Sequence, residues 1–379
     1  MALSERENSP SDAETEPKGQ TEELPEFSPS HITIVTFNDL LARYPTTVET
    51  VIRRKETARA IKAATAREKK TRAKEKKSAA DSAATQPTLT PDEKKSIDSQ
   101  VRAYLALDGL RYGILPARVR ERATAAATAG KESKTNVGGY LEKDELEQLM
   151  EWKLKHGVYR PTLLGMVRSN QAALVRRTTA SAFAAVPASD PAADLTSAGA
   201  EAEAEAESEE SELDSAFPKQ SLEALTAPLR GVGPATASLI LSVATEAAPF
   251  YSDDVFLWLC LGVFPFAAAA AAARDGGETK GGASKRIRPN GELNVKYNLQ
   301  EYRQLWEAVR RLRARLAAQS SDAVSCADVE KVAFVLRHYD VSGYSAGDGP
   351  ASAEGVDEMK RKPDQDAQAG EERSSKRRR

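Results

Sequence analysis

What most constrains this chain is where its apolar residues lie. They fall in three stretches, 92–186, 217–266 and 290–340, and within each they recur at helical spacing. The runs between them cannot be buried. Residues 201–214 hold eight acids and no base, and self-repulsion keeps such a run solvated. Seven alanines at 267–273 lead into a Gly-rich stretch ending at Gly282. No single stretch is large enough to fold alone. Together they amount to roughly 200 residues, about one domain. The sequence therefore predicts an all-α fold: one discontinuous helical domain, interrupted by disordered insertions and flanked by disordered tails.

The expected organisation follows from these boundaries. Residues 1–28 form a disordered acidic N-terminus, and 29–91 a short apolar segment followed by a basic linker or arm. Residues 92–186 are the first helical part and 187–216 an acidic disordered linker. The informative segment is 217–266. An Ala/Gly-rich linker at 267–289 precedes the C-terminal helices at 290–340, and 341–379 is a disordered tail. The β-branched run Ile32-Thr33-Ile34-Val35-Thr36 reads as a strand or an extended docking segment. Residues 53–77 carry twelve Lys or Arg against three Glu. They read either as a solvated basic helix or as an electrostatic arm for nucleic acid.

Several function classes are excluded. No run of about 18 apolar residues exists, so no membrane partner is expected. The start Met1-Ala2-Leu3-Ser4 has no apolar secretion core, which predicts an intracellular chain. Two cysteines, Cys260 and Cys326, cannot build a four-cysteine zinc or iron–sulfur site, and three histidines leave little for a histidine-rich one. No metal ligand set is predicted. The basic clusters Lys360-Arg361-Lys362 and Lys376-Arg377-Arg378-Arg379 predict a nuclear address.

Local signals place the helices. Thr90 is a plausible N-cap before Pro91, with acids in the first turn. A helix from Lys143 carries Leu146, Leu149, Met150 and Leu154 on one face, and Gly157 ends it. Asn170 is placed to cap the next helix. In the last part, Tyr302, Leu305, Trp306, Val309, Leu312 and Leu316 share a face, and Arg303, Arg310, Arg311, Arg313 and Arg315 cover much of the rest.

The segment Leu229-Arg230-Gly231-Val232-Gly233-Pro234-Ala235-Thr236 joins two short helices by a tight turn. Pro234 suits the first helical position. N–H groups at the turn and at the second helix's start suit a phosphate. Read bare, the same turn is also an ordinary packing corner.

This pattern resembles the helix-hairpin-helix of the endonuclease III-type DNA glycosylase superfamily. Residues 140–161, with Met150-Glu151-Trp152-Lys153-Leu154-Lys155 at their centre, also resemble uncharacterised eukaryotic proteins that carry the same hairpin. The superfamily resemblance implies a two-lobed helical fold, DNA as partner, and phosphate binding by Gly231, Val232, Gly233 and Thr236. It leaves room for a cation at the hairpin. It also implies a catalytic aspartate roughly twenty residues on, where Asp253 stands beside Asp254. Ala235 occupies the position of the family's nucleophilic lysine, so base excision without strand cleavage is the implied activity. The family's cysteine cluster is missing, so no iron–sulfur cluster or other cofactor is expected. Trp152, Lys153, Lys155, Arg160 and Tyr251 are candidates for the cleft opposite Asp253, and Tyr159 and Trp258 for a base pocket. Two functions follow: a nuclear DNA-binding protein, with monofunctional glycosylase activity, or a non-catalytic nuclear scaffold that keeps the fold and binds protein partners.

Overall fold

A computed structural model describes residues 27–74, 89–128, 139–157, 160–187, 213–263, 293–320 and 323–344. They are all-α, and among the described residues no strand forms. All of them belong to one compact unit ending at Tyr344. Most of the acidic run, the Ala/Gly-rich linker at 267–289 and the basic clusters at 360–379 lie outside the described residues, as do residues 1–26.

The β-branched run is not a strand. It opens helix α1, Ile34–Ala42, with Thr33 as N-cap accepting from the Thr36 amide. The β preference of such residues costs a helix only tenths of a kcal/mol each, on the order of 0.5. Burial of Phe37 and Leu40, one turn apart, outweighs it. Residues just before α1 also belong to the core: Phe27 is fully buried between Tyr339 and Tyr344, and its carbonyl accepts from the Trp258 indole at 2.7 Å.

The basic segment likewise starts inside the fold. Helix α2, Tyr44–Lys74, buries Tyr44, Thr47, Val48, Val51 and Ile52. That spacing is one helical face. Arg53 pairs with Asp98, Arg54 with Asp340, and Lys55 Nζ donates to the His156 carbonyl at 2.8 Å. The beginning of this segment is thus an anchored helix, and the arm reading is left for its exposed later turns.

Helix α3, Pro91–Gly109, starts with a reciprocal capping box between Thr90 and Glu93. A π turn at Leu110–Ile114 carries it into α4, Leu115–Thr128. Within that turn Arg111 is buried, pairing with Glu330 at 3.2 Å and donating to Ser242 Oγ at 2.7 Å. Helix α5, Lys143–His156, stops at Gly157, and α6 (Pro161–Arg168) and α7 (Ala172–Ala184) follow. A helical turn at 213–216, where a linker was expected, leads into α8, Lys219–Thr226. The hairpin then turns into α9, Pro234–Leu241. Helix α10 begins at Asp253–Val255 and continues as a π turn, Phe256–Cys260. Helices α11, Leu299–Ala317, and α12, Cys326–Arg337, complete the bundle.

One expectation about a polar residue changes. Asn170 does not cap α7, whose N-cap is Gln171. Its buried amide instead clamps the hairpin, accepting from the Arg230 amide at 2.9 Å and donating to the Arg230 carbonyl at 3.0 Å. The arginines of α11 are also largely committed within the fold. Arg303 pairs with Asp214 and Glu307. Buried Arg313 donates to the Val324 carbonyl at 2.8 Å, and Arg315 to those of Pro29 and Ile32.

Candidate functional site

The hairpin is set by local chemistry. Gly231 has φ +77°, a conformation that L side chains rarely adopt. A Cβ there would stand 3.0 Å from Met166 Cβ and 3.3 Å from the Val167 amide nitrogen. Gly233 is different: its backbone is extended, and a Cβ would meet nothing within 4 Å. Pro234 opens α9, and the amides of Gly231, Gly233 and Ala235 make no backbone hydrogen bond among the described residues. Val232 is buried and pins the turn.

A cavity of about 670 Å³ opens at this turn, within the usual size of a small-ligand site. Gly231, Val232, Gly233 and Thr236 line it on the hairpin side. Lys153 and Arg160 line it from α5 and the start of α6, and Tyr251, Asp253 and Asp254 from the approach to α10. Lys55, His156, Tyr297, Arg337 and His338 close it.

Two candidates do not belong to it. Trp152 is fully buried: its indole donates to Asp108 Oδ1 at 2.9 Å and its ring stacks on His156 with centroids 4.5 Å apart. Lys155 is paired with Glu151 at 2.8 Å on another face of α5 and does not line the cavity. Successive helical residues point about 100° apart, so neighbours of Lys153 cannot all share its outlook. Tyr251 keeps its place, but as a core residue with one edge on the cavity. It is almost wholly buried, and its hydroxyl donates to Glu301 at 3.1 Å. Trp258 is buried away from the cavity, and Tyr159 lies outside the described residues.

The two aspartates have separate environments. Asp253 is partly exposed to the cavity and accepts from the Tyr297 hydroxyl at 2.8 Å. Burial raises its carboxyl above the ordinary range, and the hydrogen bond from Tyr297 works against this. Tyr297 itself sits at φ +52°, with its amide and that of Lys296 donating to Glu301 Oε2. That strained backbone turns a residue from a distant segment toward Asp253. Asp254 is buried and paired with Arg337 at 2.5 Å. Burial opposes its charge, yet Arg337, His156 and His338 together hold its carboxyl below the ordinary value. Neither aspartate caps α10. Ser252 does, accepting from the Val255 amide.

On the basic side, Lys153 Nζ donates to Thr236 Oγ1 at 2.9 Å and lies over the Phe250 ring. Burial lowers its amine to about 7; Asp253 resists this and Arg160 adds to it. Arg160 stacks over the Tyr297 ring at 5.3 Å. Burial also lowers Lys55. His156 receives or gives a hydrogen bond at Nδ1 with the Tyr104 hydroxyl, 2.7 Å, while Nε2 has no partner among the described residues. Burial pushes His156 down to about 3 and His338 to about 4, so both are neutral near pH 7.

Tyr297, Arg337 and His338 were not singled out from the sequence, and Lys55 was one charge of the basic run at 53–77. They come from segments far apart along the chain. Among the described residues no three His, Cys, Asp or Glu side chains are grouped to hold a metal ion, and no helix is long and apolar enough to cross a membrane. Comparison with protein-family models, curated proteins and solved structures finds no match.

Proposed function

We propose that this chain is a nuclear DNA-binding protein of the helix-hairpin-helix glycosylase type, and that its cavity receives a nucleotide turned out of a duplex. The single observation that carries this reading is the meeting of the hairpin residues with Asp253 at one cavity, although roughly twenty residues separate them in sequence. The amides at the start of α9 suit a phosphate oxygen. Arg160 and Lys55 add positive charge. A flipped base would find Phe250, Tyr251 and Leu163 among the walls. Asp253, its carboxylate supported by the Tyr297 hydroxyl, suits a developing oxocarbenium charge on the sugar.

Single-turnover assays on duplexes carrying different damaged bases test the reading. Asp253→Asn should lower excision by about 100-fold or more, the usual worth of one aligned electrostatic group, and should leave duplex binding intact. The internal use of Arg303, Arg313 and Arg315 favours a second reading, a non-catalytic scaffold, because it removes cations otherwise available to phosphates. Absence of excision on every lesion, with salt-insensitive duplex binding, selects the scaffold.

A further inference from the structure

The position after the hairpin that would bring an amine to the cavity is Ala235, which has none. Another amine fills the space. Lys153 reaches across from α5 and hydrogen-bonds Thr236, the residue that follows Ala235. Among the described residues this amine has no carboxylate within ion-pair distance, and its other close neighbour is the Phe250 ring. It faces the cavity and is half-buried. A lysine held this way has a chemical use. Desolvation without a paired carboxylate makes an amine a nucleophile toward carbonyl carbon.

We propose that Lys153 is the nucleophile of this cavity, attacking the aldehyde carbon of a sugar phosphate to form an imine. Asp253 serves as the proton carrier. The Lys153 nitrogen lone pair attacks the carbonyl carbon, the carbonyl π pair moves to oxygen, and Asp253 carries one proton from the new ammonium nitrogen to that oxygen, giving a neutral carbinolamine. The nitrogen then passes a proton to the Asp253 carboxylate. Asp253 returns it to the carbinolamine hydroxyl, which leaves as water as the C=N bond forms. Amine and aldehyde give imine and water, with no oxidant or reductant. Burial raises the Asp253 carboxyl above its ordinary value, the direction that favours a carboxylate as proton carrier. Lys55 and Arg160 line the same cavity without an ion-pair partner among the described residues, which suits an anionic phosphate on the same ligand.

The proton balance of the lysine supports the assignment. With its amine near 7, Lys153 is about half neutral at pH 7, roughly a thousandfold more free amine than an ordinary lysine offers. The charged and titratable groups acting on it are Asp253 from the start of α10 and Arg160 from the start of α6. Thr236 of α9 and Phe250 contribute no charge.

Two carriers present this aldehyde: an abasic deoxyribose within a DNA strand, which rests on the DNA reading above, and a free sugar phosphate. The test separates them. The full chain is incubated with cyanoborohydride and one of three probes: an abasic duplex, ribose 5-phosphate or propionaldehyde. Adducts are located by intact mass and peptide mapping, and duplex affinity is measured in parallel by fluorescence anisotropy. Trapping by a phosphate-bearing probe should map to Lys153 and reach half its plateau near pH 7. Lys153→Met should reduce it at least about tenfold. Lys153→Arg has no amine able to form the imine and should abolish trapping, and it serves, with its helicity checked by circular dichroism, if the methionine variant misfolds. Labelling of Lys153 by ribose 5-phosphate, with a duplex that neither binds nor traps, keeps this proposal and discards the DNA reading. A duplex that binds while neither phosphate-bearing probe labels Lys153 overturns the proposal and leaves the DNA reading standing. Equal trapping in wild type and both variants, labelling by propionaldehyde alone, or no labelling by any probe overturns it too.

Discussion

Alanine at Gly231 and at Gly233 should change stability in opposite directions, although the two glycines are separated by one residue. At Gly231 the alanine must adopt φ +77°, which costs an L residue roughly 1–2 kcal/mol. Its Cβ would also press on Met166 Cβ at 3.0 Å and on the Val167 backbone at 3.3 Å. Backbone cannot give way as a side-chain tip does, and overpacking of this kind costs about 1–3 kcal/mol. The sum is a loss of about 2–5 kcal/mol. At Gly233 the backbone is extended and a Cβ meets open space. Alanine there restricts the unfolded chain and should stabilise by about 0.4–1 kcal/mol. Urea unfolding followed by circular dichroism measures both. Duplex affinity then separates packing from recognition. Gly233→Val leaves the fold stable and places two methyl groups at the cavity mouth, so it should weaken binding to every duplex alike. A Gly231→Ala chain as stable as wild type, or a destabilised Gly233→Ala chain, would refute the reading of this turn.

Other perturbations have equally definite outcomes. Asp254→Asn removes the carboxylate that Arg337 pairs with at 2.5 Å, so calorimetry should show a loss of about 2 kcal/mol. Because the Asp254 carboxyl is held below its ordinary value, its contribution is present above about pH 4 and is lost as pH falls through the lower folded value, and acid unfolding of wild type and Asp254→Asn should converge below that point. Asn170→Ala deletes both side-chain bonds to the Arg230 backbone and should cost about 2 kcal/mol in denaturant unfolding, with hydrogen exchange rising first at residues 229–233. Removing residues 360–379 should lower nuclear enrichment of a fluorescent fusion; unchanged enrichment would move the nuclear signal elsewhere in the chain.

Much of the helix pattern was legible in the sequence by itself, because helix signals act over three or four residues. Thr90 and Glu93 form the capping box that opens α3, Gly157 ends α5, and Pro234 begins α9. The stripe from Tyr302 to Leu316 is buried as its spacing implies. The all-α class follows from such signals alone. Tertiary structure decided the rest, because burial depends on what packs opposite. Ile32 to Thr36 has strand composition, yet Phe37 and Leu40 found a core surface that only a helix covers with both. Trp152, Lys153 and Lys155 looked alike as cleft candidates. Rotation along α5 sends the first into the core, the second into the cavity and the third to Glu151. Lys55 read as one charge in a basic run, and Arg337 carried no signal of its own. Their place beside Asp254 comes from α2 and α12 packing together, a long-range contact that no local pattern of residues encodes.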